Sequence, residues 1–402
     1  MLSAVIVMAL VSCGENPFYP FRALKGGEFV VRSLKDWDAI VAVIKAGGAG
    51  NYIIYLKTSL FLPGDVGDPA GANGTFGTAP GINVTISGNH TIALSSVGSL
   101  LWVASRQTVT IHDVALKGFL SNTGSVVTVF NNGGIGGAAF IMAGNSSILD
   151  NNSSANGGGV YVHSDNTLIM KDNASVYGNT GGVYGGGVYV DSNGEFIMQG
   201  NSKVYSNTAG DGGGVITHGI FTMQDSSEVH SNTATTTGTN FGGGVYVAGT
   251  GIFTMKGNSK VYGNTGEGGG VANGGNFIMQ DSSAVYNNTS IGWGGGVQNS
   301  GPFTMQDSSK VYGNTATEGG GVFNGNNTTF TMKGGAKVYS NTAMNSGGGV
   351  FNTYTFKMED YSTVYNNTAS NGGGVYNLVG GTIPGVSAGG NVYGNTPDDV
   401  AP

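Results

Sequence analysis

The sequence predicts an all-β protein, a single-stranded right-handed parallel β-helix of three parallel sheets with an N-terminal capping helix. Three observations carry that expectation. From about residue 131 the chain repeats with a period near 26 residues, marked by Gly-Gly-Gly triplets that start at 157, 185, 212, 242, 268, 294, 319, 347 and 372. A period of that length is architecture before it is anything else. Inside eight copies one ruler never changes: a Met, a Val six residues on, and an Asn three further, as in Met255, Val261 and Asn264; an earlier degraded copy keeps it with Met142, Ile148 and Asn151, and a last partial one keeps Val392 and Asn395. Each copy also holds three short β segments (GGVYV, F-T/I-M and S-x-V-Y) and no helix. Side chains alternate across a strand, so each segment has one apolar side to bury. Units this small bury it only by stacking on their neighbours. A sandwich of hairpins explains a ruler kept through ten copies less well. The right hand follows from the general rule for parallel crossovers.

The first 130 residues are less regular. Residues 1–12 read as an export signal, because Leu2–Val11 is almost wholly apolar and too short to span a bilayer. Residues 13–32 read as a linker. Ser33 with Asp36 resembles a capping box. Trp37, Ile40, Val41 and Ile44 share a helical face, and Gly47-Gly48 ends it. A helix over about 34–46 is therefore expected, covering the open end of the stack as solenoid termini require. Beyond it the apolar period falls to two. Tyr52–Leu62, Asn83–Ser87, Thr91–Leu94, Leu100–Ala104 and Thr108–Ile111 are expected strands, divided by turns such as Gly88-Asn89. They would build two or three irregular coils within 33–130. Regular repeats fill 131–396, and 397–402 is a tail.

Within the repeats the recurring residues acquire roles. The Gly triplets belong where the chain turns between sheets. The recurrent asparagines, Asn179, Asn207, Asn232, Asn264, Asn288, Asn314, Asn341, Asn367 and Asn395, are expected to stack as a structural ladder along one turn. Small residues such as Ser227, Ser259 and Ala336 would sit inside. Tyr177, Tyr205, Tyr262, Tyr286, Tyr312, Tyr339, Tyr365 and Tyr393 fall on the outward side of the third segment, with His230 in the gap. Stacked in register they form an aromatic ribbon that could bind a ligand or simply stabilise the sheet. A second outward row follows the triplets: Tyr161, Tyr189, Tyr246, Phe323, Phe351 and Tyr376.

Charge and motif chemistry narrow the function. Sixteen basic and 23 acidic residues give a net charge of -7, which argues against nucleic acid as a partner. The one cysteine allows no intramolecular disulfide. No phosphate loop or dinucleotide fingerprint is present. The five histidines have no metal-ligand spacing, and no metal or cofactor is expected. Asp172, Asp225, Asp281, Asp307 and Asp360 share one repeat position, which suits a turn and not one catalytic pair. Asp65 and Asp68 read as loop residues. Arginine occurs only at 22, 32 and 106, so Arg106, His112 and Asp113 are the one tight cluster of suitable types. His112 and Asp113 are neighbours on an expected strand and should point to opposite faces. No catalytic residue is assigned.

Two resemblances add to this. Leu10-Val11-Ser12-Cys13 resembles the lipobox of bacterial lipoproteins, although no Lys or Arg precedes the apolar run. That resemblance implies cleavage before Cys13 and acylation of its thiol, with multiple acyl chains giving a stable anchor. Gly158-Gly159-Val160-Tyr161 and Val261-Tyr262-Gly263-Asn264 resemble the GGA(I/V) and FxxN repeats of chlamydial polymorphic outer-membrane proteins, and more broadly the pectate-lyase-like β-helix superfamily. Valine-tyrosine here replaces phenylalanine. The resemblance covers about residues 130–396 and implies the fold. It implies a function among adhesins, autotransporter passengers, lyases and glycosidases. The expectation is a lipid-anchored outer-membrane or cell-surface protein, an adhesin or display protein held by Cys13 and not by a C-terminal barrel. Its partners would be a host or matrix protein or a glycan. The alternative is a polysaccharide-active enzyme, a lyase or glycosidase.

Overall fold

A computed structural model describes residues 26–65, 74–131, 134–236, 242–325 and 327–402. Among the described residues it is all-β with one helix: a right-handed parallel β-helix in three parallel sheets of 24, 12 and 6 strands. Register is set residue on residue. Met223 pairs with Met255 and Met255 with Met279, while Val261 pairs with Val285 and Val285 with Val311. Each strand therefore meets its equivalent one coil away, as the constant ruler requires. The sheets divide differently from the expected three segments. The 12-stranded sheet carries the V-x-V and V-x-N strands. The F-x-M and S-x-V-Y ladders belong to one sheet, because strands near the N-terminus run unbroken round the corner between them. A short Thr-Ala ladder after each asparagine, from Thr208–Ala209 to Thr342–Ala343, makes the third.

The shaft is built by alternation. In Ile252–Met255, Phe253 and Met255 are fully buried, while Thr254 is half-buried on the outer side. Phe196, Phe221, Phe253, Phe277, Phe303, Phe330 and Phe356 stack inside with centroids 4.6–5.0 Å apart, the spacing of the coils themselves. Burying each such side chain is worth about 1.5–3 kcal/mol. Ser227, Ser259 and Ala336 lie fully buried inside.

The glycine triplets have a steric cause, visible at 157–159. Gly157 has φ of +65°, which favours glycine. A Cβ on Gly158 would lie 2.5 Å from the carbonyl oxygens of Gly186 and Thr180. One on Gly159 would lie 2.7 Å from the oxygen of Gly187 and 2.8 Å from a Val176 methyl.

At the N-terminal end, β1 (Glu28–Val31) pairs with β2 (Gly50–Leu56), and α1 (Leu34–Gly47) lies between them in sequence. The Ser33 hydroxyl accepts the Asp36 N–H at 3.2 Å. The Asp36 carboxylate reaches back to the Arg32 N–H at 2.8 Å, one residue before the position a capping box uses. Trp37, Ile40 and Ile44 are buried, Val41 only half-buried. Trp37 meets the fully buried Phe76 edge-on. Two expected strand boundaries shift. The run 52–62 divides into β2 and β3 (Leu60–Leu62), with a corner between. By contrast, the two segments expected at 83–94 are one strand, β4 (Ile82–Leu94). Gly88 and Asn89 are taken up there as a bulge: Ser87 pairs with His112 and His90 with Val114, so two residues oppose the single Asp113 of β5 (Thr108–Lys117). These strands make three coils before the regular stack. At the other end, Ile383 and Val386 pack against the shaft from an irregular segment.

Because each coil contacts chiefly its two neighbours, removing one whole coil should leave a folded protein. Deletion of residues 271–296 joins Gly270 to Val297 and lets Asn264 meet Asn314. Circular dichroism and thermal unfolding should show the same β-signature and one cooperative transition; a disordered product would reject independent coils.

Candidate functional site

The third strand of each coil places its middle valine inside and its tyrosine outside. Tyr177, Tyr205, His230, Tyr262, Tyr286, Tyr312, Tyr339, Tyr365 and Tyr393 form one continuous stacked column. Successive centroids lie 4.8–5.4 Å apart and ring planes agree within 15°. Stacking this close covers both faces of each inner ring, so the column offers solvent its edges. Burial in the column pushes the phenols of Tyr205, Tyr286, Tyr312, Tyr339 and Tyr365 up. Tyr262 is pushed up to about 12, by burial and then by Glu228. Glu228 lies between Lys203 and Lys260, 3.1 Å from each, and accepts from the Tyr262 hydroxyl at 3.2 Å. Burial opposes its ionisation, but the two ammoniums outweigh that and hold its carboxyl below the usual range. All eight lysines of the repeats (171, 203, 256, 260, 310, 333, 337 and 357) sit on or directly after the F-x-M strands, or first on the S-x-V-Y strands. Lysine is thus confined to the tyrosine face and the one beside it.

The second aromatic row does not form one column. Tyr161 meets Tyr189 edge-on, Phe323 stacks with Phe351, and Ile216, Ala272 and Gln298 occupy the row between. At its N-terminal part, successive coils place His163, Asp191 and His218 directly after the strand. His163 stacks on Tyr161 at 4.1 Å and His218 lies 5.5 Å from Tyr189. Burial lowers the His163 imidazole, and Asp191 partly opposes this. Tyr189 is pushed up to about 12, chiefly by burial. The signal for this cluster was the residue following V-Y-V in two copies and V-I-T in the next, visible only when copies are aligned coil on coil.

The asparagines line one corner, all buried. From Asn179 to Asn367, each Nδ2 donates to the next Asn Oδ1 at 2.9–3.1 Å. Each backbone N–H donates to that same oxygen at 2.9–3.0 Å. A further bond runs back to a carbonyl of the preceding coil, as from Asn288 to Val261. All donors point the same way, and Asn395 ends the run on the Asp399 carboxylate at 3.0 Å. A second ladder was not anticipated: Asn273, Asn299, Asn324, Asn352 and Asn377 are joined at 2.7–2.9 Å. Its sequence mark is V-x-N replacing V-x-V from residue 271 onward.

The acidic corner residues Asp172, Asp225, Asp281, Asp307 and Asp360 have positive φ, and each carboxylate accepts a backbone N–H of the preceding coil. The expectation for His112 and Asp113 is corrected. They do not point to opposite faces: Asp113 has φ of +56°, which turns its carboxylate to within 2.9 Å of His112 Nδ1. The Asn145 N–H, and then His112, hold the Asp113 carboxyl below the usual range. Arg106 forms no ion pair with either among the described residues. No group of three metal-ligating side chains occurs among the described residues, and no helix there is long and apolar enough to cross a membrane. Cys13, Arg22 and Asp68 lie outside the described residues.

The chain matches no protein-family model, no curated protein and no solved structure.

Two outcomes follow for stability. Asn288→Ala removes the acceptor of two Asn264 donors and the donor to Val261, leaving buried groups unpaired, which costs about 1–3 kcal/mol each. Urea unfolding should show a loss of at least about 2 kcal/mol; an unchanged midpoint would mean the ladder bears no load. For pH, His163 and His230 both have imidazoles lowered by burial, with Asp191 opposing at His163, and Glu228 opposing and Lys203 assisting at His230. The unfolded chain then binds the proton first as pH falls. Their contribution is full above about pH 6.5 and declines below it. Double replacement His163→Phe and His230→Phe should flatten the fall of Tm between about pH 7 and 5; an unchanged slope would assign that fall to other groups.

Proposed function

We propose that this protein is a surface adhesin or display protein, held at the outer membrane or cell surface by lipid on Cys13. Its partner is a host or matrix protein or a glycan, met by the tyrosine face. One observation supports this above the rest: a column of tyrosine edges, one per coil apart from His230, continuous from Tyr177 to Tyr393. Tyrosine offers a flat apolar body with a hydroxyl at its tip, the combination enriched at protein interfaces. Lysines on the same strands add charge along the column. Each contact is weak, but a ligand that repeats along its own length engages many at once and gains by effective concentration. The corner aspartates Asp225, Asp281 and Asp307 are taken up by backbone N–H groups of the preceding coil, a turn role and not that of the paired carboxylates glycoside hydrolysis uses.

Because stacking hides the ring faces, the hydroxyl edges are the part to alter. The chain should be tested on an array of matrix proteins and glycans, with the triple variant Tyr286→Phe, Tyr312→Phe, Tyr339→Phe beside it. The variant keeps the stack, so its circular dichroism and Tm should stay unchanged while apparent affinity falls at least tenfold. Equal binding by both proteins would reject the tyrosine face.

A further inference from the structure

We infer that the β-helix carries a second, localised site: a groove that takes a short stretch of neutral glycan. It arises from a change in turn length. Between the strand of the 12-stranded sheet and the following Phe, coils at Val245 and Val322 have five residues beyond the strand, at 248–252 and 325–329. The two coils between them have only three, 274–276 and 300–302. Two adjacent short turns, between 249–251 on one side and 327–329 on the other, leave a groove of about 460 Å³, within the range of about 300–1,000 Å³ usual for ligand sites. Its walls stand three coils apart, about 14 Å at the coil spacing.

The floor is built before any ligand arrives. A Cβ on Gly275 or Gly301 would run into the carbonyl oxygen of Gly251 or Gly275, so glycine lets these turns close onto one another. The second asparagine ladder begins beneath: Asn273 Nδ2 donates to Asn299 Oδ1 at 2.8 Å and to the Pro302 carbonyl at 3.0 Å. The Thr328 hydroxyl ties the far wall to the Gly301 carbonyl. A site fixed in this way loses little freedom on binding.

The lining chooses the ligand. Thr250, Asn276 and Asn327 present a hydroxyl and two amides among bare glycine backbone, and no lining residue is ionisable. A carboxylate or sulfate would shed water with no counter-charge to receive it. An extended peptide is disfavoured as well. The strands flanking the floor are paired on both sides, so no edge is free for strand addition, and the groove has no charged side chain to select a residue. A neutral sugar, dense in hydroxyls that both donate and accept, fits what remains. This site is independent of the tyrosine column, which lies on another strand of the coil.

The repeat itself supplies the test, since it already tolerates either turn length. Residues 300–302 are replaced by the five-residue turn Ala-Gly-Thr-Gly-Ile found at 248–252, which fills the groove with a turn that fits this place. Binding is measured by calorimetry on the full chain, using neutral hexose and N-acetylhexosamine oligosaccharides of two to four units. Uronate oligosaccharides of the same length and uncharged peptides form the other arms. The native protein should bind a neutral oligosaccharide, and the long-turn variant should bind at least tenfold more weakly with unchanged Tm. Asn327→Gly, on an exposed wall where φ of +60° suits glycine, should weaken the same ligand without touching the floor. Tyr286→Phe should leave it unaltered, which separates this site from the tyrosine face. No binding by the native chain, a preference for uronates or peptides, or undiminished binding by both groove variants would overturn the inference.

Discussion

Everything in this molecule depends on parallel strands bonded in register to their own equivalents one coil away. Backbone hydrogen bonding sets a spacing near 4.8 Å. Any residue type repeated in the sequence is thereby laid over its copy at a distance suited to contact. Phenylalanine becomes an internal stack, tyrosine an external one, and asparagine a buried chain of amides. None of these columns needs a separate device to align it.

The two asparagine ladders show how polar groups survive inside so narrow a shaft. A corner in a solenoid leaves backbone groups facing inward that no strand partner can reach. Asparagine has both donor and acceptor, so each copy satisfies a neighbour on either side. Such a chain has a direction and must end on an acceptor that asks for nothing further, which the Asp399 carboxylate provides. The ladder beginning at Asn273 starts less completely: the preceding coil has Val247 at that position, and the Asn273 Oδ1 is buried without a hydrogen-bond partner among the described residues.

Function is then a matter of what the regular body displays and where regularity lapses. The tyrosine column is the repeat expressed outward, suited to many similar contacts. The groove is a local lapse, created by two missing residues in each of two coils over a floor that asparagine made rigid. A β-helix can vary its turns without disturbing its strands because the register is kept on either side of the turn, with Val271 on Val297 and Phe277 on Phe303 although the turn lengths of other coils differ.

The all-β class, the solenoid, the inward Val, Phe and Met, and the capping helix with its Trp37, Ile40 and Ile44 face were all legible in the sequence. Each rests on a local period or a fixed spacing. The spacing from Met255 to Val261 to Asn264 also placed the asparagines at one corner and the tyrosines outside. Tertiary structure decided what depends on a neighbouring coil. Gly88-Asn89 reads as a turn, yet it is a bulge because β5 continues past it. His112 and Asp113 read as opposed, yet a positive φ at Asp113 brings them together. The groove was invisible although both turn lengths stood in the sequence, since depth exists only when a short turn lies beside a long one. Sequence states what each coil contains; stacking determines which coils are adjacent and how their surfaces combine.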